Sequence, residues 1–122
     1  MEDCLFCKIV KKEEDSKVIY EDDLVMAILD AFPNVSGHTL IIPKKHYTDY
    51  KELPDDLILH INKVTKELSD KLENVLHKNS VTYIINYMDA QIVKHFHKHV
   101  VPGYGKKINY TVDEVYKMIM ES

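Results

Sequence analysis

A chain of 122 residues, 45% hydrophobic and 30% charged, has the size and balance of one core-bearing domain spanning residues 1–122. Its formal charge of −4, with sixteen lysines and no arginine, lacks the basic stripe of a nucleic-acid coat, so no nucleic-acid partner is expected. Glycine occurs only at 37, 103 and 105, which excludes a P-loop and a dinucleotide-binding glycine fingerprint. No stretch reaches membrane-spanning length, and Met1-Glu2-Asp3 is acidic where a secretory signal would be basic. The expectation is a cytoplasmic protein without a membrane partner, whose Cys4 and Cys7 stay reduced or bind metal.

In chain order, Cys4-Leu5-Phe6-Cys7-Lys8-Ile9-Val10 has apolar positions spaced for a short helix packed on a core. Lys17 to Tyr20 and Leu24 to Leu29, separated by Glu21-Asp22-Asp23, read as a hairpin. A loop from Asp30 to Gly37 leads into a third strand, His38 to Ile42, stopped by Pro43. After Leu53-Pro54 the apolar positions 57, 58, 61, 64, 68, 72, 75 and 76 predict one amphipathic helix of about six turns. Val81 to Tyr87 reads as a fourth strand and Gln91 to Pro102 as a fifth, broken by Gly103-Tyr104-Gly105. Thr111-Val112-Asp113-Glu114 has the form of a capping box, starting a last helix through Met120. The sum is an α+β domain: a mainly antiparallel five-stranded sheet, one long helix and a C-terminal helix.

The fifth strand carries His95, His97 and His99 at a spacing of two, which on a strand puts them on one face, ~6.6 Å apart. A solvated, histidine-rich face is the plain alternative. Near neutrality such a row can supply a nucleophile, a proton donor and a cationic hydrogen-bond donor. It can equally floor a zinc or iron site, making a metal-dependent hydrolase, if further ligands come from elsewhere.

Cys4-x-x-Cys7 also has several readings. A thioredoxin-like pair needs a strand before it, and only three residues precede Cys4. Two small buried hydrophobes would also account for the pair. Zinc needs two more ligands. If the third strand runs antiparallel beside the fifth, with His38 near His99, its far end meets His95 and His46 follows at the same edge. Cys4, Cys7, His46 and His95 then form a candidate tetrahedral set. His60 and His77 lie on the long helix and read as structural.

His95-Phe96-His97-Lys98-His99-Val100-Val101, with Gln91-x-Val93 upstream, resembles the signature of the histidine triad (HIT) family of nucleotide hydrolases and transferases. Glu21-Asp22-Asp23, Asp30, Pro33, the run Gly37 to His46 and the opening Cys4-x-x-Cys7-Lys8-Ile9 fit the same family in the same order. The resemblance implies a HIT-like fold and a covalent mechanism. His97 attacks the α-phosphorus of a purine nucleotide conjugate, and water then releases the nucleoside monophosphate. His99, His95 and His38 would orient and hydrogen-bond the phosphate oxygens, Gln91 would belong to the catalytic set, and Asp30 would accept the ribose hydroxyls. Leu5, Phe6, Ile9 and Ile28 would wall the base, plain core being the alternative for each, and Asn86 would complete the nucleotide site. The opening motif implies a structural zinc, with none needed for the chemistry, and the family commonly forms homodimers through the long helix and an adjoining strand edge.

One stretch departs from the family. Asn86-Tyr87-Met88-Asp89-Ala90-Gln91 lacks the glycines that usually present backbone N–H groups to the phosphate, and Ile92 stands where the phosphoramidase branch has serine. A nucleotide-binding or scaffolding module with little turnover is therefore the second reading.

Overall fold

The structure, a computed structural model, describes residues 4–103 and 108–122. The expected break at Tyr104-Gly105 lies outside the described residues. The elements are α1 (Leu5–Val10), β1 (Val18–Glu21), β2 (Val25–Leu29), β3 (Thr39–Pro43), α2 (Asp55–Leu76), β4 (Val81–Ile85), β5 (Lys98–Pro102) and α3 (Val112–Met120). Single 3-10 turns occur at Tyr50–Glu52 and Met88–Ala90. The five strands form one antiparallel sheet in the order β1-β2-β3-β5-β4.

Alternation along the strands divides the core. Val25, Ala27, Leu29 and Ile41 join Leu57, Ile61, Val64, Leu68 and Leu72 of α2 on one face, with Val115 and Ile119 of α3. Met26, Ile28, Leu40 and Ile42 point the other way and meet Phe6 and Ile9 of α1. β2 and β3 are thus covered on both sides, which is why they read as unbroken apolar runs. α2 starts after Pro54 with Asp55 and Asp56 in its first turn, where acids favour the helix dipole. It ends at His77, which adopts a left-handed conformation (φ 55°) and donates its N–H to the Glu73 carbonyl. His60 ties α2 to the hairpin through Asp22 Oδ2 at 2.6 Å. Burial alone would raise that Asp22 carboxyl, but Tyr20, the Val25 and Leu24 N–H groups and His60 together hold it well below the usual range. The capping box is present, Thr111 and Glu114 exchanging bonds at 3.1 and 2.9 Å.

The histidine strand is shorter than expected. The ladder of β5 begins at Lys98, paired with Ile41 on one side and Ile85 on the other, so His95 and His97 precede it. The physical reason is that both neighbours give out: Pro43 has no N–H to donate, and β4 ends at Ile85, short of the expected Tyr87. Main-chain bonding is taken over by the following segment, where Phe96 N–H donates to the Tyr47 carbonyl at 2.7 Å. Alternation persists without the ladder. Phe96 and Val100 join the α2 face and Lys98 reaches Asn62 there at 3.3 Å, while the three histidines face the α1 side. Lys94 is clear of the triad too, its ammonium bonded to the Met88 carbonyl.

Gly37 turns the chain toward β3 at φ 89°, and a Cβ there would meet Leu76 Cδ1 and, at 3.0 Å, Pro102 Cγ. Gly37→Ala is expected to cost about 2–4 kcal/mol from left-handed strain plus overpacking. A urea midpoint matching the parent's would show that Leu76 and Pro102 yield freely.

Candidate active site and metal centre

Cys4 precedes α1 and caps it, its sulfur accepting the Cys7 N–H at 3.3 Å. Both thiols lie by the Pro43 end of β3, against His46 and His95. Cys4 Sγ lies 3.3 Å from His95 Nδ1, Cys7 Sγ 3.2 Å from His46 Nδ1 and 3.4 Å from His95 Nδ1, and the two Nδ1 atoms are 3.1 Å apart. A tetrahedron with Zn–S of ~2.3 Å and Zn–N of ~2.0–2.1 Å has S–N edges of ~3.5 Å and N–N edges of ~3.3 Å. The three S–N distances and the N–N distance lie close to those edges, and all four donors are within 4.8 Å of one another. The His95 tautomer fits too: Nε2–H donates to the Pro43 carbonyl at 2.9 Å, leaving the Nδ1 lone pair facing the thiols. Burial is the main reason the Cys7 thiol is raised to about 11 without a metal, so a cation there would displace its proton. The expected set of Cys4, Cys7, His46 and His95 is brought together and is compatible with zinc.

Beyond it the rings continue in a row. His97 Nδ1 lies 2.9 Å from the His95 carbonyl, an acceptor only, so Nδ1 carries the proton and Nε2 keeps its lone pair. Burial lowers the His97 pKa against opposing pulls from that carbonyl and from Asp30, favouring a neutral ring. His38 is oriented the other way. Its Nδ1 accepts the Asn34 N–H at 3.3 Å, so Nε2–H points at His99 Nδ1, 2.9 Å away. His99 then carries its own proton on Nε2, where the Asn86 side-chain amide lies 3.5 Å off, its oxygen the end that proton requires.

Asp30, His38 and His99 also bring three potential ligand atoms within 4.8 Å of one another. Here the tautomer opposes a metal, because the proton on His38 Nε2 occupies the direction a cation would take. Asp30 uses Oδ1 to accept the Phe32 N–H at 2.9 Å, and Oδ2 faces His38 Nε2 at 3.7 Å. One wall therefore presents a bare nitrogen on His97 beside the Nε2–H of His99, whose ring is held by the His38 Nε2–H donated to its Nδ1. That set can attack an electrophile and hold the negative charge that develops.

Other expected site residues fall differently. Gln91 is buried, but its Nε2–H donates to the Thr48 carbonyl at 2.7 Å and its Oε1 has no partner among the described residues. Phe6, Ile9 and Ile28 are buried in the α1-side cluster, whereas Leu5 is largely exposed. The glycine-free stretch closes as a 3-10 turn with Met88 at φ 55°, and the Ala90 and Gln91 N–H groups are spent on the Tyr87 and Met88 carbonyls. Ser36 escaped the sequence reading. Its hydroxyl accepts the Asn109 and Tyr110 N–H groups at 2.8 and 3.0 Å, fastening the C-terminal segment beside Asp30 and His38.

The buried rings make stability pH-dependent. Burial pushes His99 from its ordinary 6.5 down to about 4, helped by His97 and His38, and lowers His38 as well. Such groups bind protons more readily when unfolded, so the stabilisation from His99 is complete above about pH 6.5 and is lost as the pH falls toward about 4, and His38 acts in the same direction. Each contributes a slope of up to ~1.4 kcal/mol per pH unit. Urea unfolding from pH 4 to 7 should show His99→Asn shallower than the parent by about one proton. Equal slopes would mean the ring is charged in the folded protein.

A family model described as the HIT domain matches residues 11–106. An uncharacterized HIT-like protein of Methanocaldococcus jannaschii is 36% identical over 132 aligned positions, covering 95% of this chain and 98% of that one. The adenosine 5'-monophosphoramidase of Schizosaccharomyces pombe is 37% identical over 103, covering 81% and 73%. The crystal structure of a zinc-bound histidine triad family protein from Mycobacterium smegmatis superposes with a TM-score of 0.90 at 30% identity, covering 98% of this chain and 92% of that one. The row of imidazoles, the antiparallel sheet that carries it and these likenesses agree: the chain belongs to the histidine triad (HIT) family.

Proposed function

We propose that the protein is a hydrolase of purine nucleotide phosphoramidates, phosphoesters or dinucleoside polyphosphates, working through His97. The observation that carries this is the His97 Nδ1 contact to the His95 carbonyl at 2.9 Å, which aims an unprotonated Nε2 away from the backbone. Nε2 attacks the α-phosphorus, the bond to the leaving group breaks, and the departing atom takes up a proton. Water then cleaves the phosphorus–nitrogen bond, releasing the nucleoside monophosphate and restoring the imidazole. The Nε2–H of His99 binds a phosphate oxygen, His38 holds that ring by donating to its Nδ1, and Asp30 Oδ2 accepts the ribose hydroxyls. Ile9 and Ile28 back the base, with Leu5 at its exposed edge and Asn86 beside the phosphate, while the buried Phe6 ring packs behind His97. Gln91 acts by bracing the 86–91 turn against Thr48. Support comes from the phosphoramidase relative.

Zinc on Cys4, Cys7, His46 and His95 staples α1 to the sheet and serves structure, leaving the chemistry to the imidazoles. Residues 1–122 act as one cytoplasmic domain. Pairing of two copies along β4 and α2 would cover Tyr83, Ile84 and Ile85, each at least 40% exposed. A second reading, nucleotide binding with little turnover, is favoured by the 86–91 turn, whose Ala90 and Gln91 N–H groups are already engaged. Incubation with adenosine 5'-phosphoramidate followed by acid-quenched mass spectrometry decides. An adenylyl adduct on His97 with release of AMP supports the hydrolase; AMP binding with neither adduct nor turnover selects the binding module.

A further inference from the structure

We propose that Phe6 is a positioning residue for His97, holding its imidazole so that Nε2 stays forward; this rests on His97 being the nucleophile. A single hydrogen bond from Nδ1 to the His95 carbonyl fixes one corner of that ring but leaves rotation about it open, since imidazole torsions are broad. Phe6 removes that freedom. It is 4% exposed and meets the His97 ring edge-to-face, centroids 5.0 Å apart at 73°, and the His95 ring at 5.9 Å and 88°. The ring that touches the nucleophile also touches the ring whose main chain orients the nucleophile.

Phe6 is itself held from both sides. Cys4 and Cys7 flank it in one helical turn, and their thiols converge with His46 and His95 on the candidate metal centre. A metal on those four donors would lock the turn, and with it the Phe6 ring, against His97. The contact thus links a structural site to the chemistry through one side chain. A base wall would act on substrate affinity. A positioning residue acts on the geometry reached in the transition state, so its removal lowers kcat with KM nearly unchanged.

The test compares the zinc-loaded full-length protein with Phe6→Leu and Phe6→Met, which keep apolar volume but lose the ring. kcat and KM are measured on adenosine 5'-phosphoramidate, and long-range ¹H–¹⁵N spectra at pH 7.5 report which His97 nitrogen carries the proton. The expected result is a fall in kcat of about tenfold, KM within about twofold, and loss of the dominant Nδ1–H tautomer. A raised KM at unchanged kcat, or an unaltered tautomer in whichever variant folds, overturns the proposal. If the parent itself forms no His97 adduct, the nucleophile reading fails, and the tautomer signal still decides whether Phe6 orients the ring.

Discussion

His97→Ala and His97→Gly are expected to lower turnover of adenosine phosphoramidates by at least about 10³-fold and to abolish the adenylyl adduct, with the fold intact. The size follows from what is removed. His97 is the ring in the row whose Nε2 lone pair is freed by its own backbone contact, whereas His95 turns Nδ1 to the cysteines and His38 presents an N–H. No neighbour can take over the attack without reversing a tautomer set by the main chain. His97 is 6% exposed, so both variants leave a small void, and circular dichroism must show the sheet unchanged. Turnover in folded His97→Ala equal to the parent's would end the covalent mechanism.

Disrupting the proposed zinc site should have the next largest effect. Chelation, or Cys7→Ser, is expected to lower the melting temperature by about 10 °C or more, corresponding to roughly 3 kcal/mol or above for a chain of this length. α1 has only six residues and its hydrogen bonds alone could not hold it, so its place depends on Phe6 and Ile9 packing and on the thiols. Zinc content near one per chain, lost in Cys7→Ser, and a visible d–d band on cobalt substitution would accompany the shift. No bound metal and an unchanged melting curve would reduce Cys4 and Cys7 to small core residues.

Much of this was legible along the chain. The period-two and 3.6-residue patterns reported each strand and both longer helices, because alternation follows from which side chains meet the core. The Cys4-x-x-Cys7 pair and the antiparallel placement of the third and fifth strands brought His46 and His95 into one candidate metal set with the cysteines. The strand carrying the triad was overextended, since residues 91–97 keep strand-like alternation after both neighbouring strands have ended. The motif places Gln91 in the catalytic set, while the structure has its amide donating to Thr48, forty-three positions away in the chain.

The order of residues alone determined that three imidazoles share a face, that two cysteines share a helical turn, and that residues 86–91 contain no glycine. Only the tertiary structure decided which nitrogen of each imidazole is free. The Pro43 carbonyl, the His95 carbonyl and the Asn34 N–H make that choice. Main-chain groups are identical at nearly every position, so their placement is written in the packing of strands and turns, and no residue name records it.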